Sequence, residues 1–229
     1  HFRALLPAAL LGSFLALGAQ AATITVDTAD NTPGGAGCSL REALTSALWD
    51  DSSFGNGACA SGNGADTIVF DTTAFPPGSV TPIALTDDPI YLNFITTDIT
   101  IDGDQRVALD AGGGTSRVVY ASGSGIHLTL RGLTLRNGHT NSFSDGGNNG
   151  AGIYLDNGAT LRLENSVVQG NMAGANGGGI YSYDSFLTVV DSVFTGNQSG
   201  FEGGAIYAMG AGSLTVERSR FESNTGGSR

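Results

Sequence analysis

The sequence predicts an all-β fold, a solenoid of short parallel strands wound into stacked coils and started by a short helix. Three observations predict it. The second half of the chain repeats one pattern at steps of 26 or 27 residues, the signature of stacked supersecondary units. Within each repeat, apolar and polar residues alternate with a period of two, as in a strand with one buried face. Glycine supplies 36 of the 229 residues without a collagen-like period, so tight turns must be frequent.

Residues 1–21 read as a secretory leader. Arg3 gives the positive start, Leu5 to Leu17 the apolar run, and Ala19-Gln20-Ala21 the small-x-small cleavage site before Ala22. The run is too short to span a bilayer. Thr23-Ile24-Thr25-Val26-Asp27 then alternates as a strand. Cys38 and Cys59 are the two cysteines, and downstream of an export signal a disulfide closing a loop of about twenty residues is the favoured reading. Ser39 and Glu42 form an S-x-x-E capping box, while Leu40, Ala43, Leu44 and Ala47 share one helical face. A helix starting at Ser39 would lay that face over the open end of the first coil. Arg41 and Glu42, in its first turn, read as structural rather than catalytic. The hexapeptide from Cys38 to Ala43 spells CSLREA and resembles the defining motif of the CSLREA domain, a match that extends through Cys59 and Gly64-Ala65-Asp66-Thr67-Ile68. The resemblance implies an N-terminal module of secreted or surface-associated bacterial β-helical proteins.

Ile68-Val69-Phe70, Ile83-Ala84-Leu85 and Ile90-Tyr91-Leu92 suggest irregular first coils, broken at Pro76-Pro77. Ile99-Thr100-Ile101 and Leu128-Thr129-Leu130 begin degenerate lines, the latter with Asn137 one residue short of the expected Asn position. The insertion from Asn141 to Gly150 is expected to project from the stack. Three regular lines follow, each with a Gly-rich run, an Ile-Tyr pair, a strand and an Asn. Their strands are Leu161-Arg162-Leu163, Leu187-Thr188-Val189 and Leu214-Thr215-Val216. Alternation turns the Leu and Val residues inward, and Phe194 and Phe221 should stack inside. Asn171, Asn197 and Asn224 are expected to take left-handed bends and to hydrogen-bond as a ladder. Asn197-Gln198-Ser199 has the form of a glycosylation acceptor, but the ladder accounts for it better. Gly203 to Ile206, paired with the F-x-x-N runs at Phe194 and Phe221, resembles the polymorphic outer-membrane protein repeats over roughly residues 150–229. Together the resemblances imply a right-handed single-stranded parallel β-helix of the pectin-lyase-like kind. They divide the chain into a leader at 1–21, a capping module at 22–70 and coils at 71–229.

Two outward-facing groups are candidate sites. Glu164, Asp191, Glu217 and Arg218 should gather at the edge of the Leu-x-Leu ladder, where such a set could hold Ca²⁺ and a uronate or place two carboxylates around a glycosidic bond, although an exposed salt-bridge patch is the favoured reading. Tyr154, Tyr181 and Tyr207, one per coil and extended by Tyr120, should form an outward ladder. It is either a sugar-stacking platform or cross-strand stacking that stabilises the sheet, and the second is favoured. His127 and His139 lack partners at metal spacing, so no transition-metal site is indicated.

The formal net charge is −11, and all ten basic residues are Arg, which disfavours nucleic acid as a partner. The chain opens on His1 and stops at Arg229 after a repeat, so it reads as part of a longer protein, with any membrane attachment lying in a further C-terminal region. The favoured function is a secreted or outer-membrane-surface bacterial protein, adhesin-like or structural and non-catalytic. The alternatives are a polysaccharide lyase or glycoside hydrolase and a carbohydrate-binding scaffold, with a polysaccharide or cell-surface glycan as partner.

Overall fold

The computed structural model of the protein describes residues 21–32, 34–53, 57–86, 88–93, 96–141 and 147–227. Residues 1–20 of the expected leader lie outside them. Among the described residues, parallel pairing generates three sheets of eleven, five and four strands around one apolar interior. The largest runs from Thr23–Val26 through Ala65–Phe70, Thr97–Asp110, Ile126–Arg136, Thr160–Glu164 and Phe186–Val190 to Ser213–Glu217. The second stacks Ile90–Asn93, Val119–Ser122, Ile153–Asp156, Ile180–Tyr183 and Ile206–Met209. The third stacks two-residue strands at His139–Thr140, Met172–Ala173, Gln198–Ser199 and Thr225–Gly226. From Ile126 onward each turn of the chain visits all three, and the earlier turns visit the first two or only the largest, so this is a parallel β-helix.

The alternation read from sequence sets the register. Leu161 pairs with Leu187 and Leu187 with Leu214, while Leu163, Val189 and Val216 make the neighbouring stack. Leu161, Leu163, Leu187 and Val189 are at most 1% exposed, each contributing about 1.5–3 kcal/mol of burial. Leu214 and Val216 are 44% and 41% exposed, because no described coil covers them. Phe194 is fully buried and stacks on Phe221 at 4.9 Å between centroids.

The helix Leu40–Trp49 carries the expected capping box, with Ser39 and Glu42 bonded reciprocally, and its buried face joins the core beside Ile24, Val26 and Ile68. Cys38 and Cys59 are disulfide-bonded. Thr23–Val26 pairs with Ala65–Phe70, which pairs in turn with Thr97–Asp110, so the segment from residue 22 supplies the first strands of the same sheet. The early irregularity has a cause in the long strand Thr97–Asp110. Its register shifts between Asp102 and Val107, where Asp104 and Gln105 take φ of 45° and 57°. Arg106, 8% exposed, reaches from there to the carbonyls of Phe70 and Phe75 and ties down the excursion that Pro76-Pro77 opens.

The asparagines correct one expectation. Asn171, Asn197 and Asn224 are not the left-handed residues. The preceding residue in each case is, with φ of 61° at Gly170, 63° at Gly196 and 52° at Ser223. The bend turns the Asn side chain inward, where Asn171 Nδ2 donates to Asn197 Oδ1 and Asn197 Nδ2 to Asn224 Oδ1, both at 2.9 Å. In the earlier coil Asn137 holds the left-handed position with φ of 58°, and Gly138 holds the Asn rung, its N–H donating to Asn171 Oδ1 at 2.8 Å. Asn197 is fully buried, so the glycosylation motif is closed to modification in the folded chain.

Candidate functional site

The outward tyrosines line up because each follows an inward Ile or Val on consecutive rungs of the five-stranded sheet. Tyr91, Tyr120, Tyr154, Tyr181 and Tyr207 pair in register. Their rings stack with centroid separations of 4.7, 5.1, 5.2 and 5.6 Å and interplanar angles of 16° or less. The column therefore includes Tyr91, whose coil is too irregular in sequence to align with the others. Tyr183 adds a looser contact to Tyr181 at 6.5 Å.

Stacking along the solenoid axis sets what the column can do. A sugar packs on the face of an aromatic ring, and in a column each inner face already meets another ring. Inner rings such as Tyr154 thus present edges outward rather than the flat strip expected of a platform. The centre is also covered. Arg117, 2% exposed, lies with its guanidinium carbon 5.5 Å from the Tyr120 centroid and 5.0 Å from that of Tyr154, a desolvated cation–π contact. It donates to the carbonyls of Gly147 and Asn149 at 3.0 and 3.2 Å. The far end of the insertion is fastened further, as Asn148 O accepts from Thr140 Oγ1 and from the Ala175 N–H. Residues 142–146 of the insertion lie outside the described residues, but its described end packs onto the coils instead of projecting. Tyr154 and Tyr120 are left only 7% and 8% exposed. Burial, reinforced by a 2.6 Å hydrogen bond from Tyr154 to Asp156, pushes the Tyr154 hydroxyl well above the ordinary phenol range, and burial raises Tyr181 as well. These are neutral hydroxyls at any physiological pH.

The acidic edge is less of a cluster than its spacing suggested. Glu164 and Glu217 share a rung position with Val190 between them, so their backbones lie two rungs apart, about 9.6 Å. Asp191 and Arg218 stand one residue further on, at corners where φ is 47° for both. Arg218 donates to both Asp191 carboxylate oxygens, at 2.7 and 2.8 Å, and to Glu217 at 3.2 Å, while Glu164 is paired with Arg162. The hydrogen bonds from Arg218 hold the Asp191 carboxyl below its ordinary range, the opposite of what a general acid needs. Among the described residues, no group of three or more His, Cys, Asp or Glu is placed to hold a metal ion, and the oxygens a Ca²⁺ would use at Asp191 already face a guanidinium.

A small cleft opens between the helix and the first coils, lined by Leu44, Leu48, Leu85, Pro89 and Tyr91. At its rim Arg41 forms an ion pair with Asp88 and also donates to the Asp88 carbonyl. Glu42 is 3% exposed and accepts from Gly34 N, Ser39 N and Ser39 Oγ. Glu42 therefore serves the capping box, while Arg41 ties the helix to Asp88.

Residues 117–228 match a family model described as a right-handed beta helix region. Searches of curated proteins and of solved structures returned no match.

Proposed function

We propose that this right-handed parallel β-helix is a scaffold exported to the surface of a bacterium or beyond it, adhesin-like or structural in role and without catalytic activity of its own. The observation that carries the reading is how the most chemically capable outward residues are engaged. The tyrosines face one another, Arg117 covers their centre, and Asp191, Glu217 and Glu164 are held by arginines. A rigid, acidic flank of this kind suits display and contact better than turnover. The CSLREA run from Cys38 to Ala43 and the repeats ending in Phe194 to Asn197 and Phe221 to Asn224 support the same placement by resemblance, as does the leader at residues 1–21.

A second reading, glycan binding, draws on the exposed end of the tyrosine column, where Tyr183 and Met209 are 38% and 58% exposed. Fractionation of producing cells tests the main proposal, together with adherence of bacterial and host cells to beads coated with the purified chain. Export with adherence supports it, whereas retention in the cytoplasm would refute it.

A further inference from the structure

Asp66 is 1% exposed, and its partners are peptide N–H groups. Its Oδ1 accepts from Ala22 N at 2.9 Å and from Asn63 N at 2.9 Å, and Oδ2 accepts from Asn63 N at 3.2 Å. Gly62 lets the backbone close over it, since a Cβ there would collide with Asp66 Oδ2 and the Ser46 carbonyl. Among the described residues no arginine is paired with Asp66, and the chain has no lysine. Asp50 at the helix end and Asp98, which pairs with Ala65 beside it, are acidic as well. A carboxylate buried without a cation is costly, and a counter-charge at hydrogen-bond distance removes much of that cost.

The group already touching it is the nitrogen of the residue that follows the Ala19-Gln20-Ala21 cleavage signature. We infer that processing at the Ala21–Ala22 bond creates the missing cation, and that the new α-ammonium of Ala22 forms a buried ion pair with Asp66. The inference rests on the export reading. In the step, a signal peptidase adds water across the amide. The oxygen goes to the Ala21 carbonyl carbon, the C–N bond breaks, Ala21 leaves as a carboxylate, and the Ala22 nitrogen takes up protons to become an ammonium. The geometry suits this order. Ala21 is exposed, whereas Ala22 is already fixed on the first rung through its carbonyl, which accepts from Thr67 N at 2.9 Å. Cutting the bond leaves the nitrogen where it is and changes only its charge.

The absence of lysine supplies the assay, because the α-amine is then the chain's single primary amine. The full chain is exported from a bacterial host with its leader, and its N-terminus is read by intact mass and sequencing. The rate of acetylation by a small amine-reactive ester is then followed against pH. The expected N-terminus is Ala22. Its amine should titrate above the ordinary range of about 7.7–8.0, and both Asp66→Asn and a variant processed one residue earlier, retaining Ala21, should return it to that range. Acetylating the wild-type amine should raise the unfolding equilibrium constant by about tenfold or more. A folded pKa raised in this way gives stability that is complete below the ordinary amine pKa and lost as pH rises through the raised value. A mature N-terminus elsewhere would overturn the processing site. An N-terminus at Ala22 whose amine reacts identically in wild type and in the Ala21-retaining variant would overturn the ion pair while leaving export intact. That second variant keeps the test decisive should Asp66→Asn fail to fold.

Discussion

Replacing Asn197 with Ala probes the interior ladder at its most connected rung. The side chain is fully buried and takes part in four hydrogen bonds. Nδ2 donates to Val168 O and to Asn224 Oδ1, both at 2.9 Å, and Oδ1 accepts from Asn171 N at 3.1 Å and Asn171 Nδ2 at 2.9 Å. Truncation leaves polar atoms on two neighbouring coils unsatisfied. With roughly 1–3 kcal/mol for each buried orphan and incomplete additivity, the expected loss is about 3–6 kcal/mol, against a total stability of about 5–15 kcal/mol. Asn224→Ala removes a similar set of bonds from a half-buried rung that water can reach, so it should cost only about 1–2 kcal/mol. Urea unfolding followed by far-UV circular dichroism and tyrosine fluorescence measures both. Equal losses, or a loss below about 1 kcal/mol at Asn197, would refute the view that buried amide hydrogen bonds lock coil to coil.

Three further outcomes follow from the same packing. Phe194→Ala should cost about 3–5 kcal/mol and Phe221→Ala about 1 kcal/mol in the same urea series, because the first ring is enclosed and the second half exposed. Ser39→Ala should cost about 1 kcal/mol by loss of the cap, and Glu42→Ala more, since Glu42 serves three donors; thermal melts of the two variants give the order. The stabilising effect of the Asp191 carboxylate, whose folded pKa is depressed by Arg218, should be complete above the unfolded value of about 3.9 and lost as pH falls through the lower folded value. Carboxyl carbon NMR should accordingly show Asp191 titrating below the ordinary range, and a midpoint near 6 would mark it instead as a poised acid.

The coil-to-coil register was legible because strand alternation and a near-constant repeat both survive in the sequence. Leu161, Leu187 and Leu214 announce their own stack. Tyr91 carried the same signal, an aliphatic-Tyr pair, but insertions between the early coils break the spacing that would have aligned it with Tyr120. The left-handed position was displaced by one residue because Asn is a common left-handed residue. Gly170 and Gly196, just before the asparagines, are the left-handed residues, and Asn137 is out of step because Gly138 occupies the Asn position in its coil. Arg117 left no local trace, since its role depends on a ring stack and a loop that meet it only in three dimensions. At the acidic edge the sequence holds the proximity of the charges but not their pairing. Spacing placed Glu164, Asp191 and Glu217 near one another, but which arginine turns toward which carboxylate is decided by the corner geometry at Asp191 and Arg218.

The most direct test of the scaffold reading is a polysaccharide screen with acidic and neutral glycans, with and without Ca²⁺, scoring retention together with new reducing or unsaturated ends. The account predicts no new ends from the wild-type chain and no difference when Glu164→Gln, Asp191→Asn and Glu217→Gln are combined. New ends that disappear in the triple variant would contradict it and make the acidic edge a catalytic site.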